Sequence, residues 1–300
     1  LRKRRKLKII MLTIFFIFLI SIAGSTWYIS DLLGKIDAVS IDKNNVSANK
    51  ELKNKCKNIK NIALFGVDSD KNNGRSDSIM ILTLDEVHNK LKLTSIMRDS
   101  YVNIPGYEKD KINHAYAYGG PELALKTINE NFNLDVTDFI SVNMESIKSI
   151  IDKLSGVEIP IKEDEVEFIS EIKEAGVHKL NGEQVLSYAR IRHVEGGDAR
   201  RTERHRIILS SLFEKLKGTN LKEYPSLINE FLPYVQTNLS STDLINLATN
   251  FAKLIPNGLN TARFPKDEQM KQLYKNGVYY LAFDDNMKLQ IQNYIFEDIS

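Results

Sequence analysis

From Ile9 to Ile29 the chain is uncharged and mostly apolar, and six cations (Arg2, Lys3, Arg4, Arg5, Lys6 and Lys8) precede that run. As a helix of about 21 residues at 1.5 Å each it reaches roughly 31 Å, close to the thickness of a bilayer's hydrocarbon core. Trp27 and Tyr28 close its far end, where amphipathic rings favour the membrane interface. With the cations all on one side, the pattern predicts a cytoplasmic basic tail over 1–8, one N-terminal transmembrane helix over 9–29, and an exported C-terminal bulk. Ser21-Ile22-Ala23 offers a competing reading, a small-x-small site before a cleaved signal. The apolar run continues past Gly24 for a full spanning length, which favours the anchor.

Residues 30–58 are polar, rich in Lys and Asn, and lack a sustained apolar period, so they read as an extracellular tether. Dense patterning then begins. Asn61–Val67, Ser78–Leu84 and Leu91–Met97 are short apolar runs bounded by turn residues, and read as buried strands. Gly119-Gly120-Pro121 marks a break, followed by a helix with Pro at its first position. Phe139–Met144 is a strand, Glu145–Leu154 a helix, and Gly156–Ile161 a strand again. Asn181 with Gln184 three residues on completes a capping box for a helix through Arg190. A long helix from Arg201 to Leu216, helices around 224–235 and 242–254, two short strands and a helix from Asp284 finish the chain. Alternating strands and helices predict an α/β domain over 59–300, with a central mixed sheet and helices on both faces.

Charge sharpens the partner class. The whole chain is +2, but without the six N-terminal cations 35 basic residues stand against 39 acidic, about −4 for the exported part. That balance excludes a nucleic-acid coat, which shows as a net basic domain. Cys56 is the only cysteine, so no intrachain disulfide or cysteine-rich metal site exists. The exported domain is therefore held by its core.

Three constellations carry candidate chemistry. GVDSDKNNGRSDSIM (66–80) gathers Asp68, Asp70 and Asp77 around a turn, with Arg75 two residues before Asp77. Carboxylates at two strand ends can converge on Mg²⁺, which takes one or two of them and completes its shell with water and phosphate oxygens. A calcium loop is excluded: position six is Asn73, not Gly, and position twelve is Ile79, not Glu. The bland alternative is a solvated hairpin. Arg98-Asp99 ends a predicted buried strand, where a structural ion pair competes with a ligand site. The segment 188–206 holds six arginines, with a Gly196-Gly197-Asp198 turn between two helices and Arg201, Arg204 and His205 on one helical face. Such a run is often a solvated face, yet arginines converging from two helix ends also suit phosphate oxygens. Together, a metal, arginines and an anionic substrate are the equipment of phosphoryl transfer. No HExxH, GxSxG or Walker loop supports another chemistry, and His88, His114, His178 and His193 are scattered surface or core residues.

These residues resemble the LytR–CpsA–Psr cell-wall glycopolymer ligases over roughly 60–217. The resemblance rests on GVDSD…GRSDSIMILTL, SIMRDSYVNIPG, KINHAYAYGGPELALKTI and GVHKLNGEQVLSYARIRHVEGGDARRTERHRIIL, in that order. It implies a phosphotransferase at the cell membrane of a Gram-positive bacterium, single-pass with its C-terminal domain outside. Such an enzyme passes a glycopolymer with its phosphate from a polyprenyl-pyrophosphate carrier to a peptidoglycan sugar hydroxyl. By motif, Asp68 and Asp77 would hold Mg²⁺, with Mn²⁺ as a substitute. Arg75, Arg98, Arg190, Arg192 and Arg201 would bind the pyrophosphate, and Asp198 would orient the arginines. Asp99 would be either an arginine's structural partner or a base for the incoming hydroxyl. Three positions depart from the family: Met97 where Pro is common, Arg200 where Gly is common, and His205 where Gln is usual. The alternative is a non-catalytic polyprenyl-phosphate binder with a regulatory role.

Overall fold

The structure, a computed structural model, describes residues 37–68, 74–191, 197–219 and 224–299. The expected basic tail and transmembrane helix lie outside those residues. Among the described residues no helix is long and apolar enough to cross a membrane.

In chain order the elements are β1 (Asp37–Ala38), α1 (Lys50–Lys55), β2 (Ile59–Val67), β3 (Ser76–Asp85), β4 (Lys90–Ile96), β5 (Tyr101–Val102) and β6 (Asp110–Lys111). Then come α2 (His114–Phe132), β7 (Asp138–Asn143), α3 (Met144–Lys153), β8 (Val157–Ile161), β9 (Gly176–Leu180), α4 (Gly182–Arg190) and α5 (Gly197–Lys217). The remainder is α6 (Tyr224–Phe231), β10 (Gln236–Thr237), α7 (Ser241–Leu254), β11 (Leu259–Phe264), the β12–β13 hairpin (Lys271–Lys275, Val278–Ala282) and α8 (Asn286–Gln292).

Seven strands form one sheet in the order β1-β10-β7-β2-β3-β4-β11. Its pairings are mixed: β2 runs parallel to β7 and β4 to β11, whereas β2–β3 and β3–β4 are antiparallel. Alternation along β2 divides the core. Ala63, Phe65 and Val67 pack with α2 and α8 on one face, while Ile62 and Leu64 join Leu239, Leu244 and Leu247 on the other. A side lobe joins Ile151, Val157, Ile159, Val185 and Ile208 from α3, β8, α4 and α5.

The break at Gly119-Gly120 is a kink. Gly120 has φ +63°, which a side chain rarely adopts, and a helical turn from His114 precedes it. The Asn181–Gln184 capping box forms as expected. The expected tether needs correction: β1 pairs with β10, Val46 is completely buried, and Asn49 caps α1 through its side chain. From residue 37 on, this polar stretch is part of the folded domain. A few apolar residues among many charged ones suffice to anchor it, and these leave no periodic trace.

Candidate active site

Antiparallel pairing sets Ile79 of β3 opposite Ile96 of β4, so the start of one strand and the end of the other lie together. Asp77 and Arg98 stand at those ends. Arg98 Nη1 donates to Asp77 Oδ1 at 2.6 Å, and Arg201 Nη2, from the first turns of α5, donates to Asp77 Oδ2. Burial alone would raise the Asp77 pKa, but the Arg201 and Arg98 guanidinium groups outweigh it and hold the carboxyl below its ordinary value. Two guanidinium charges thus share one carboxylate. Arg201 is only 6% exposed, and its Nε and Nη1 are buried with no hydrogen-bond partner among the described residues. Buried N–H donors without acceptors are uncommon and mark a place for an anion.

Asp99 is also buried. Its Oδ1 receives Lys111 Nζ at 2.6 Å, and Arg98 Nε lies 3.5 Å from Oδ2. Asp99 thus pairs with both Arg98 and Lys111. At the adjoining strand end the Asp68 N–H bonds the Arg75 carbonyl at 3.2 Å, and Asp68 Oδ1 accepts from the Arg75 N–H at 2.8 Å. The Arg75 side chain is exposed, with Nε 3.9 Å from the Asp68 carboxylate. This pairing puts Asp68 and Asp77 at the same end of β2 and β3.

Not every arginine of the 188–206 cluster reaches this point. Arg200 and Arg204 pair with Glu165, at 3.1 and 3.2 Å, and Arg204 is 1% exposed. They build the side lobe rather than an anion receptor. Arg190 is exposed in the last turn of α4. Arg192 and Asp70 lie outside the described residues, as does the side chain of Asp198, whose backbone belongs to the first turn of α5. Glu165 and Lys111 were missed from sequence, each being one charge within a short mixed run that looks solvated.

Beyond the arginines the same α5 stripe turns apolar, through His205, Ile208 and Leu212. These line a cavity of about 130 Å³ with Leu64, Gly66, Ile140, Val142, Ile147 and Ala189. His205 hydrogen-bonds the Ala189 carbonyl, and its Nε2 is buried with no partner among the described residues. Burial, and then the Arg201 charge, lower its pKa to about 4, so the ring is neutral at pH 7. A charged strand-end cluster and an almost wholly apolar cavity share α5 as a common wall.

Comparison with known proteins decides the family, because the LytR_cpsA_psr family matches residues 28–297. The chain belongs to the LytR–CpsA–Psr family. The regulatory protein MsrR of Staphylococcus aureus (strain COL) is 34% identical over 201 residues, 65% of this chain and 62% of MsrR. The chain thus spans less than two thirds of that relative's length. The polyisoprenyl-teichoic acid–peptidoglycan teichoic acid transferase TagU of Bacillus mycoides is 31% identical over 239 residues, 77% of this chain and 76% of TagU. Among solved family structures, TagT bound to LI-WTA superposes with a TM-score of 0.69 at 25% identity, covering 87% of this chain and 93% of TagT. YwtF (TagT) with bound octaprenyl pyrophosphate lipid gives 0.64 at 25% identity, with the same coverage. The mixed α/β fold is that of the family.

Proposed function

We propose that this chain is a membrane-anchored transferase, moving a glycopolymer and its phosphate from a polyprenyl-pyrophosphate carrier to a peptidoglycan sugar hydroxyl. One observation carries the reading: Arg98 and Arg201, from segments 103 residues apart, converge on Asp77 beside an apolar cavity. Guanidinium groups suit pyrophosphate oxygens, and an apolar cavity suits the carrier's prenyl tail. Solved relatives with bound octaprenyl pyrophosphate lipid or LI-WTA support it.

The residues' roles follow from their positions. Arg98 and Arg201 donate to the oxygens of the pyrophosphate, and Asp77 keeps both guanidinium groups aimed at one point. As the sugar hydroxyl attacks the glycan-side phosphorus, the P–O bond to the carrier breaks and polyprenyl phosphate leaves; the charge developing on those oxygens is met by donors already in place. Apolar side chains along α5, β2 and β7 exclude water from the lipid side. The donor set also fits Mg²⁺: Asp68 and Asp77 are two carboxylates at one sheet end, each Asp77 oxygen keeps a lone pair, and Mg²⁺ commonly binds one or two carboxylates plus phosphate. Once bound, the ion would supply Lewis-acid stabilisation of phosphate charge.

The test is the full chain in detergent with Mg²⁺, a polyprenyl-pyrophosphate-linked sugar and a peptidoglycan acceptor. A phosphodiester-linked product is expected, and its absence across a range of donors overturns the reading. The name of the Staphylococcus aureus relative favours a second reading, a regulatory lipid-phosphate binder. Asp77→Ala cells whose wall polymer is unchanged would support that one instead.

A further inference from the structure

Outside the arginine cluster, the described surface carries a concentration of tyrosines on the β5–β6 hairpin, the start of α2 and the β12–β13 hairpin. The Tyr107 and Tyr118 rings stack at 4.7 Å with 22° between their planes, yet the residues remain 51% and 43% exposed. Tyr101 and Tyr280 pack edge to face at 4.9 Å. Asp110 ties the two pairs together. Its Oδ2 accepts from Tyr118 Oη and interacts with His114 Nδ1, both at 2.7 Å, and Tyr280 also hydrogen-bonds it. These bonds fix the ring edges; Tyr107 and Tyr118 cover one face of each other, yet both residues stay exposed, which core packing does not require.

We propose that this surface is a saccharide platform for the acceptor, holding an uncharged stretch of amino-sugar chain beside the arginine cluster. The proposal rests on the transferase reading above and deepens it. Three features select a sugar. Pyranose rings present C–H faces that stack on exposed aromatic rings, and Tyr provides such area at low entropic cost. Around those rings stand phenolic hydroxyls, suited to sugar hydroxyl and acetamido groups. Finally, Glu108 and Asp110 balance Lys109 and Lys111, so the segment carrying Tyr107 and Tyr118 has no surplus charge for a polyphosphate chain.

Continuity with the arginine cluster selects the acceptor. Lys111 Nζ lies 5.8 Å from the Tyr280 ring centroid and 2.6 Å from Asp99 Oδ1, and Asp99 flanks Arg98. One ion pair separates the platform from the guanidinium groups, so a sugar chain on the tyrosines extends toward the pyrophosphate site.

The experiment measures binding of N-acetylglucosamine tetramer, of a glycerol-phosphate oligomer, and of inorganic pyrophosphate to the full chain in detergent. Tyr107→Ala with Tyr118→Ala should weaken the tetramer by about tenfold or more, while Tyr107→Phe, which keeps the ring, should lower it less than threefold. Pyrophosphate affinity should stay within twofold in all of these variants, which also reports that they fold. Tetramer binding that is absent, or equal in wild type and the double Ala variant, overturns the platform while pyrophosphate binding leaves the transferase reading standing. Preference for the glycerol-phosphate oligomer at the tyrosines overturns the acceptor assignment. Loss of pyrophosphate binding in wild type itself counts against the transferase reading.

Discussion

At Arg201 one nitrogen of the guanidinium group is partnered by Asp77, while two others sit buried with no acceptor among the described residues. Removing Asp77 makes the imbalance worse. Asp77→Asn should destabilise the protein by about 3 kcal/mol, because cutting one partner from a buried pair leaves charge uncompensated. Added pyrophosphate should raise the melting temperature of this variant more than that of the wild type, since the anion replaces the lost carboxylate. An equal rise in both would place the anion elsewhere. His205 gives a second test. Its folded pKa is lowered to about 4 from an unfolded value near 6.5. Between those values the unfolded state binds more protons, so this residue's contribution is intact above pH 6.5 and is lost as pH falls toward 4, by on the order of 3 kcal/mol. Asp77, Arg201 and Arg204 are the charged groups that act on it. His205→Gln should flatten the stability profile across that window in urea titrations. At this scale the sequence named Asp77, Arg98 and Arg201 by motif. It could not show that Arg204, three residues from Arg201 on the same face, turns to Glu165 instead. Helical spacing gives a shared face, not the partner across it.

Elements show a different division. Strands β2, β3, β4 and β7 and helices α3, α4 and α7 follow the apolar periods closely, because each buries a face against the sheet or a neighbour. Residues 37–58 carry no periodic signal because they reach the core through scattered contacts such as Val46 and Leu52. Two element-level predictions follow from close packing. A Cβ at Gly182 would lie 2.4 Å from the Lys148 carbonyl oxygen, so Gly182→Ala must push α4 from α3. A loss of about 2 kcal/mol is expected in denaturant unfolding, typical of overpacking. Glu165, 1% exposed, joins the 163–168 turn to α5 through Arg200 and Arg204. Glu165→Ala should cost about 3–5 kcal/mol, because it strands the buried Arg204 guanidinium. A melting curve unchanged by this variant would show the side lobe to be held without it.

For the whole molecule, the proposed transfer requires the apolar cavity to take a prenyl tail beside the arginines. Its volume of about 130 Å³ compares with a cavity that takes one benzene ring. A long prenyl chain would therefore require the cavity walls to part. Leu212→Trp should fill this space, reducing binding of a long-chain prenyl pyrophosphate by at least about tenfold while inorganic pyrophosphate binds as before. Equal losses for both ligands would show that the cavity does not take the tail. The fold class, the order of the motifs and the amphipathic faces were determined by sequence alone, because each depends on residues close along the chain. Tertiary structure alone decided which arginines share Asp77, where the apolar cavity lies and how the polar stretch from residue 37 is absorbed. Those depend on groups as far apart as Asp37 and Gln236, 199 positions along the chain, meeting through space, where burial and charge choose among partners that local spacing leaves equivalent.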